Sequence, residues 1–145
     1  GERLIKQAKK ERSDLSVIMF DIDHFKTIND SYGHEVGDQV ICAVATLGKE
    51  SMRSRDVFAR LGGEEFAAVL PGTNLDQAKA IAERYREKVE QYIIPESDGK
   101  TLSMSAGVVA LLPTTRDLDA LLHSADEAMY RAKAEGRNRV YCSTV

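Results

Sequence analysis

Cysteine is scarce in this chain, with only Cys42 and Cys142 among 145 residues. Neither stands in a metal-ligand spacing, and two thiols cannot build the disulfide framework of a small secreted domain. Both have apolar neighbours in sequence, so they are expected to be buried free thiols in a reducing compartment, with a disulfide as the alternative. Long hydrophobic runs are missing too. The longest nearly apolar stretch, Ala106 to Leu112, is far short of the roughly 20 residues of a membrane-spanning helix. No signal peptide is visible, and a cytoplasmic location is expected. An excess of basic charge is also absent: 20 Lys and Arg face 23 Asp and Glu, a net charge of -3. That disfavours nucleic-acid binding by counterion release, so any bound phosphate is expected to belong to a small ligand held by local groups. Linkers, repeats and low-complexity segments are lacking, and residues 1–145 fit one domain with a full core.

What is present is concentrated at residues 60–66, Arg-Leu-Gly-Gly-Glu-Glu-Phe. Two glycines separate one apolar run (Val57, Phe58, Ala59, Leu61) from another (Phe66 to Leu70). A two-residue turn matched to strand twist needs backbone angles that glycine adopts at little cost, so a hairpin is expected, with strands over 56–61 and 64–70. Two carboxylates follow the glycines directly. A turn that admits a ligand close to the backbone, beside paired acids, suits a metal-bound phosphate.

The rest alternates helices and strands. Residues 1–12 read as a charged helix with Leu4, Ile5 and Ala8 on one face. Ser16 to Ile22 reads as a buried strand ending in acids, His24 to Tyr32 as a short helix or turn, and Glu35 to Lys49 as an amphipathic helix. Asn74 is expected to cap a long helix buried through Leu75, Ala78, Ala82, Tyr85 and Val89. Lys100 to Leu111 alternates like a strand, Leu118 to Ala132 has helical spacing stopped by Gly136, and Arg139 to Cys142 reads as a last strand. This order predicts an α/β (α+β) sandwich with a central, mainly antiparallel sheet flanked by helices. It resembles the ferredoxin-like palm of nucleotide polymerases and cyclases, although fold alone does not fix function.

Asp21 and Asp23 close the first strand and share one face if the strand continues that far; otherwise they cap the next turn. With the hairpin paired beside that strand, Glu64 and Glu65 would face them. Hard oxygen ligands of this kind select Mg²⁺ or Mn²⁺. Because neighbours in a strand point opposite ways, one glutamate facing the metals and one turned elsewhere is the alternative. Lys26 lies within reach of a terminal phosphate. Asn29 and Asp38 together can read a guanine edge, or else serve as a turn residue and a helix cap.

The segment Phe20-Asp-Ile-Asp-His-Phe-Lys-Thr-Ile-Asn-Asp-Ser-Tyr-Gly-His-Glu-Val-Gly-Asp38, followed by Arg60-Leu-Gly-Gly-Glu-Glu-Phe66, resembles the GGDEF family of diguanylate cyclases. The closing Ala125-Asp-Glu-Ala-Met-Tyr-Arg-Ala-Lys-Ala-Glu-Gly-Arg-Asn138 is similar to that family's final helix and loop. The resemblance implies condensation of two GTP into cyclic di-GMP with release of two pyrophosphates. It implies one GTP per domain, two domains facing each other as a homodimer, and two Mg²⁺ (or Mn²⁺) per site. It further implies that Asp21, the Ile22 carbonyl, Glu64 and Glu65 hold metal, with Asp21, Glu64 and Glu65 as the catalytic acids. Gly62 and Gly63 would admit the nucleotide. Phe25, Lys26, Lys133 and Arg137 would contact phosphates, and Asn29 and Asp38 the guanine. Asp38, where relaxed-specificity relatives carry Ser, favours GTP over ATP. How Glu64 and Glu65 divide their roles stays open.

Arg53-Ser-Arg-Asp56 matches the register of the family's inhibitory Arg-X-X-Asp site, and Arg84 resembles the arginine that completes it. The resemblance therefore implies inhibition by cyclic di-GMP. Family members usually begin with an Asp-X-Leu-Thr…Asn-Arg-Arg stretch before the first helix, and here the chain starts inside or after it. A trimmed start is expected, and so is an upstream sensory domain in the full-length protein. The alternative function is a non-catalytic receptor for GTP or cyclic di-GMP.

Overall fold

Five strands form one sheet in the computed structural model, which describes residues 2–143; Gly1, placed by sequence in the first helix, lies outside them. In chain order the elements are α1 (Glu2–Glu11), β1 (Leu15–Ile22), α2 (Phe25–Tyr32), α3 (His34–Ser51), β2 (Val57–Gly62), β3 (Glu65–Pro71), α4 (Leu75–Glu90), β4 (Met104–Ala110), α5 (Leu118–Ala134) and β5 (Val140–Ser143). The sheet order is β2-β3-β1-β4-β5. β1 pairs antiparallel with both β3 and β4, β2 pairs antiparallel with β3, and only the β4–β5 pair is parallel. β1 to β4 thus follow the ferredoxin-like βαββαβ order, with β5 added at the β4 edge.

β1 is buried along its whole length because helices cover both faces of the sheet. Its even-numbered residues Ile18, Phe20 and Ile22 pack with Phe66, Leu70, Met104 and Val108 against α2, α3 and α4. Its odd-numbered residues Leu15, Val17 and Met19 pack with Ala67, Val69 and Val109 against α1 and α5. Period-two alternation in a doubly covered strand therefore sorts two cores, not a core and a solvent face. The α5 face is unusually close: a Cβ on Gly107 of β4 would lie 2.2 Å from the Met129 amide nitrogen and 2.3 Å from the Ala125 carbonyl oxygen. Glycine at this point lets the helix backbone rest on the strand.

Several boundaries differ from expectation. The hairpin turn is Gly63-Glu64 and not the glycine pair, because a register shift between Arg60 and Gly62 takes up one residue and leaves Gly62 paired with Glu65. β4 is shorter than the alternating run, since β1 ends at Ile22 and Thr101 pairs instead with Ile93 in an isolated bridge. Cys42 lies exposed on α3 and Cys142 is half-buried. Both thiols are free, but neither is the buried core residue expected. Asn74 caps α4 in a reciprocal capping box with Gln77. Gly136, at φ 126°, follows the C-cap Glu135 of α5.

Candidate active site

The odd-numbered face of β1 ends at Asp21, directly across from Glu65 on β3 and Ser105 on β4. Glu64, in the turn just before Glu65, accepts the Ile22 N–H on its carbonyl at 3.2 Å. Three carboxylates thus gather at one end of the sheet. Asp21 is 5% exposed. Its Oδ2 pairs with the Lys133 ammonium from the last turn of α5. Its Oδ1 is buried with no hydrogen-bond partner. Burial pushes the Asp21 carboxyl above its ordinary range; the Lys133 hydrogen bond and charge oppose this, while Glu64 and Glu65 add to it. An orphaned buried carboxylate oxygen among three acids has unmet demand for positive charge, and its hard oxygen donors fit a divalent cation. Among the described residues no three His, Cys, Asp or Glu side chains yet converge closely enough to hold a metal. Lys133, across Asp21 Oδ2, supplies positive charge in that place.

Asp23 behaves differently from Asp21 although it continues the same alternation. Its Oδ2 accepts from the Ser103 hydroxyl at 2.7 Å and the Asn138 N–H at 3.0 Å, and its Oδ1 accepts from the Ser105 hydroxyl at 2.7 Å. Both oxygens are engaged. Asp23 is neither a free metal ligand nor the cap of the following turn, the two sequence expectations.

α2 begins directly after the acids. His24 precedes it at φ 55° and gives no side-chain cap. The N–H groups of the first turn, Phe25 and Lys26 among them, therefore lack intrahelical partners and form an electropositive helix end next to the carboxylates. The Lys26 side chain is exposed, and so is Arg137 in the loop after α5. Asn29 on α2 and Asp38 on α3 sit on the two arms of the corner at Gly33, whose φ is 94°. Asp38 is within α3, not at its cap. The Asn29 amide lies over Gly37, where a Cβ would stand 1.8 Å from its Oδ1. Gly37 was not singled out by sequence, yet a glycine inside a helix is unfavourable and asks for a packing reason. Ser103, Ser105 and Asn138 were likewise missed.

Arg53, Asp56 and Arg84 are also brought close together. Arg53 binds the fully buried Asp56 carboxylate through Nη2 at 2.9 Å and Nε at 3.1 Å, and its own N–H adds a bond at 2.8 Å. Nη2 also reaches the Thr73 hydroxyl. Arg84 on α4 donates to the Ser51 carbonyl at 2.8 Å, two residues from Arg53. A separate surface hollow of about 580 Å³, lined by Ala8, Lys9, Arg12, Asp14, Leu111 and Pro113, shares no lining residue with either cluster.

A ferredoxin-like antiparallel sheet that gathers carboxylates at one end, beside an uncapped helix start, places this chain in the palm-like class of nucleotidyl cyclase domains. The family model described as the diguanylate cyclase GGDEF domain matches residues 2–139, and the chain belongs to that family. It is 39% identical over 147 residues to the probable diguanylate cyclase DgcT of Escherichia coli strain K12, covering 97% of this chain and 32% of that protein. Among solved structures it superposes with a TM-score of 0.94 and 35% identity on the active GGEEF domain of a diguanylate cyclase from Vibrio cholerae, covering 99% of this chain and 92% of that one. It also superposes on the GGDEF domain of DgcB from Caulobacter crescentus in complex with c-di-GMP, with a TM-score of 0.91, 31% identity and coverage of 97% and 84%. The chain spans about a third of the length of the curated relatives that it matches.

Proposed function

We propose that this chain is the catalytic domain of a diguanylate cyclase, joining two GTP molecules into cyclic di-GMP in the cytoplasm and releasing two pyrophosphates. The observation that carries the reading is Asp21 set opposite Glu65 across β1 and β3, with Glu64 alongside and one Asp21 oxygen buried without a partner. Asp21, the Ile22 carbonyl, Glu64 and Glu65 would hold two Mg²⁺ or Mn²⁺ ions, which when bound neutralise triphosphate charge and polarise the α-phosphorus. The chain's own residues position the substrate. Asp38 accepts from the guanine ring N–H and exocyclic amine, and Asn29 satisfies the remaining edge. Gly62 and Gly63 let the nucleotide approach the turn. The Phe25 and Lys26 N–H groups, the Lys26 ammonium, Lys133 and Arg137 hold phosphate oxygens. Lys133 exchanges Asp21 for phosphate as substrate enters.

The 3′-hydroxyl of one GTP attacks the α-phosphorus of the GTP on the facing domain. Its proton passes to a carboxylate of the cluster, Glu64 or Glu65, as the bond to pyrophosphate breaks in line. A second identical step closes the ring. Each domain holds one GTP, so turnover needs a homodimer, which a sensory domain elsewhere in the full-length protein would control. Positioning and electrostatics supply most of the barrier reduction. The test is to fuse the chain to a dimerising coiled coil, incubate it with GTP and Mg²⁺, and chromatograph the products. Cyclic di-GMP is expected, and Asp21→Asn and Glu65→Ala should abolish it. Tight nucleotide binding with no product from the dimerised protein would identify a receptor instead.

Arg53, Asp56 and Arg84 are read as the site through which cyclic di-GMP inhibits its own synthesis. Their proximity supports this, as does the 33% exposure of the Arg53 side chain, which leaves guanidinium surface for a guanine edge or phosphate. The buried Asp56 carboxylate would then chiefly orient Arg53.

A further inference from the structure

Asp23 lies two residues from the acid cluster, is 4% exposed, and has no part in the reaction proposed above. Three donors from three places converge on it: Ser103 just before β4, Ser105 within β4, and the backbone N–H of Asn138 in the loop after α5. That loop is strained. Arg137 and Asn138 are consecutive non-glycine residues at φ 64° and 46°, in the left-handed region. Its two ends are held by backbone bonds, with the Arg137 N–H on the Ala132 carbonyl and the Arg139 carbonyl on the Ala106 N–H, each at 3.0 Å. Between those ends Arg139 Nε donates to the Arg137 carbonyl at 3.0 Å within the loop, and Asn138 ties the middle to the rest of the fold. The N–H binds Asp23, the Oδ1 accepts from Arg86 Nη1 at 2.9 Å, and the Nδ2 donates to Glu90 on α4. Arg86 is itself held by Glu83 at 3.3 Å and Glu90 at 3.6 Å.

We propose that Asp23 is a positioning residue, which fastens the loop after α5 to the sheet end and thereby aims Arg137 and Lys133 at the substrate phosphates. The proposal rests on the GTP reading above. The chemistry favours aspartate: a carboxylate accepts from all three donors at once with charge-assisted bonds, whereas an asparagine amide has one accepting oxygen, so the serine hydroxyl facing its NH₂ must turn to accept and the remaining bonds lose their charge assistance. The arrangement also separates Asp21, within β1, from Asp23, just past its end. Asp21 keeps a free oxygen toward the site, and Asp23 keeps none. Left-handed backbone at Arg137 directs its side chain away from the path that a continuing helix would give it, so losing the Asp23 anchor lets that geometry relax. Lys133, in the last turn before the loop, loses its support with it.

The experiment compares wild type with Asp23→Asn and Asn138→Gly. Glycine keeps the left-handed backbone and the N–H to Asp23 but removes the bonds to α4. Two ligands are used: a GTP analogue with a methylene between the α- and β-phosphates, with Mg²⁺, measured by calorimetry, and guanosine, which has no phosphate, measured by NMR titration. Asp23→Asn should weaken the analogue on the order of ten-fold and leave guanosine within about two-fold, because only phosphate contacts are misplaced. Asn138→Gly should show the same selectivity with a smaller loss. Hydrogen exchange at residues 136–139 should quicken in Asp23→Asn. Analogue affinity unchanged in the folded Asp23→Asn protein, or an equal fall in both ligands, would overturn the proposal. If wild type binds neither ligand, the GTP reading fails; unaltered exchange at the Asn138 amide in Asp23→Asn then removes the anchor as well.

Discussion

Replacing Gly37 by alanine tests whether Asn29 reads guanine, because it moves one side chain while stabilising the helix beneath it. Gly37 is inside α3, where alanine is favoured over glycine by roughly 1 kcal/mol. The added Cβ would stand 1.8 Å from Asn29 Oδ1, 2.9 Å from its Cγ and 3.4 Å from the Phe25 ring. Non-bonded atoms of this kind rest at about 3.5 Å, so the amide must swing away by more than about 1 Å. It is the end of a flexible arm, and an adjusted rotamer costs about 0.5–1.5 kcal/mol. The two effects offset, and the melting temperature should stay within about 4 °C of wild type. Nothing offsets the loss at the nucleotide. One or two hydrogen bonds to the guanine edge are worth about 1–3 kcal/mol, a roughly 5- to 150-fold weaker Kd. Calorimetry with the non-reactive GTP analogue measures this, and thermal melting controls for folding. In an Asn29→Ala background the same glycine replacement should change affinity little, since the group that it displaces is gone. Unchanged affinity in a stable Gly37→Ala protein would refute the guanine-reading role of Asn29.

Three further outcomes are expected. Gly107→Ala puts a Cβ 2.2–2.7 Å from backbone atoms of α5, which cannot step aside singly, so urea unfolding should show a loss of about 3 kcal/mol or more; a loss under about 1 kcal/mol would mean that the helix lifts freely. The folded-state pKa of Asp21 is raised by burial, so its favourable contribution is complete below the ordinary carboxylate range and is lost as pH rises through the folded value. Metal-free Asp21→Asn should therefore melt above wild type at neutral pH, with Lys133, whose side chain is 26% exposed, turning to water. The gap should close on acidification, Mg²⁺ should raise only the wild-type melting point, and a gap that widens in acid would contradict the sign. Arg53→Ala should relieve product inhibition while leaving turnover, yet lower the melting point because the buried Asp56 carboxylate loses its partner. Arg84→Ala should relieve inhibition without that penalty, and a variant pair that stalls at the wild-type product level would dismiss the inhibitory site.

The elements most legible in sequence are those whose signal is local. β1 carries the apolar run Val17 to Phe20 because helices cover both its faces, and the Asn74 cap with Gln77 is a four-residue pattern complete in itself. The hairpin was legible only to within a residue. Gly62 and Gly63 both take positive φ, so neither residue by itself says which one turns; the bulge beside Arg60 decides it, and that depends on pairing with β3. The acids are the instructive case. Asp21 and Asp23 are the same residue type, two apart on one strand end, and nothing nearby distinguishes them. What separates them arrives from Lys133 on one side and from Ser103, Ser105 and Asn138 on the other, each at least 80 residues away along the chain. A carboxylate met by three neutral donors is satisfied and becomes a fastening. A carboxylate met by one ammonium, with an oxygen left over, is held in readiness for another cation. Chemical role at this sheet end is therefore set by the tertiary partners that β4 and the loop after α5 deliver, and the residue type supplies only the capacity to answer them.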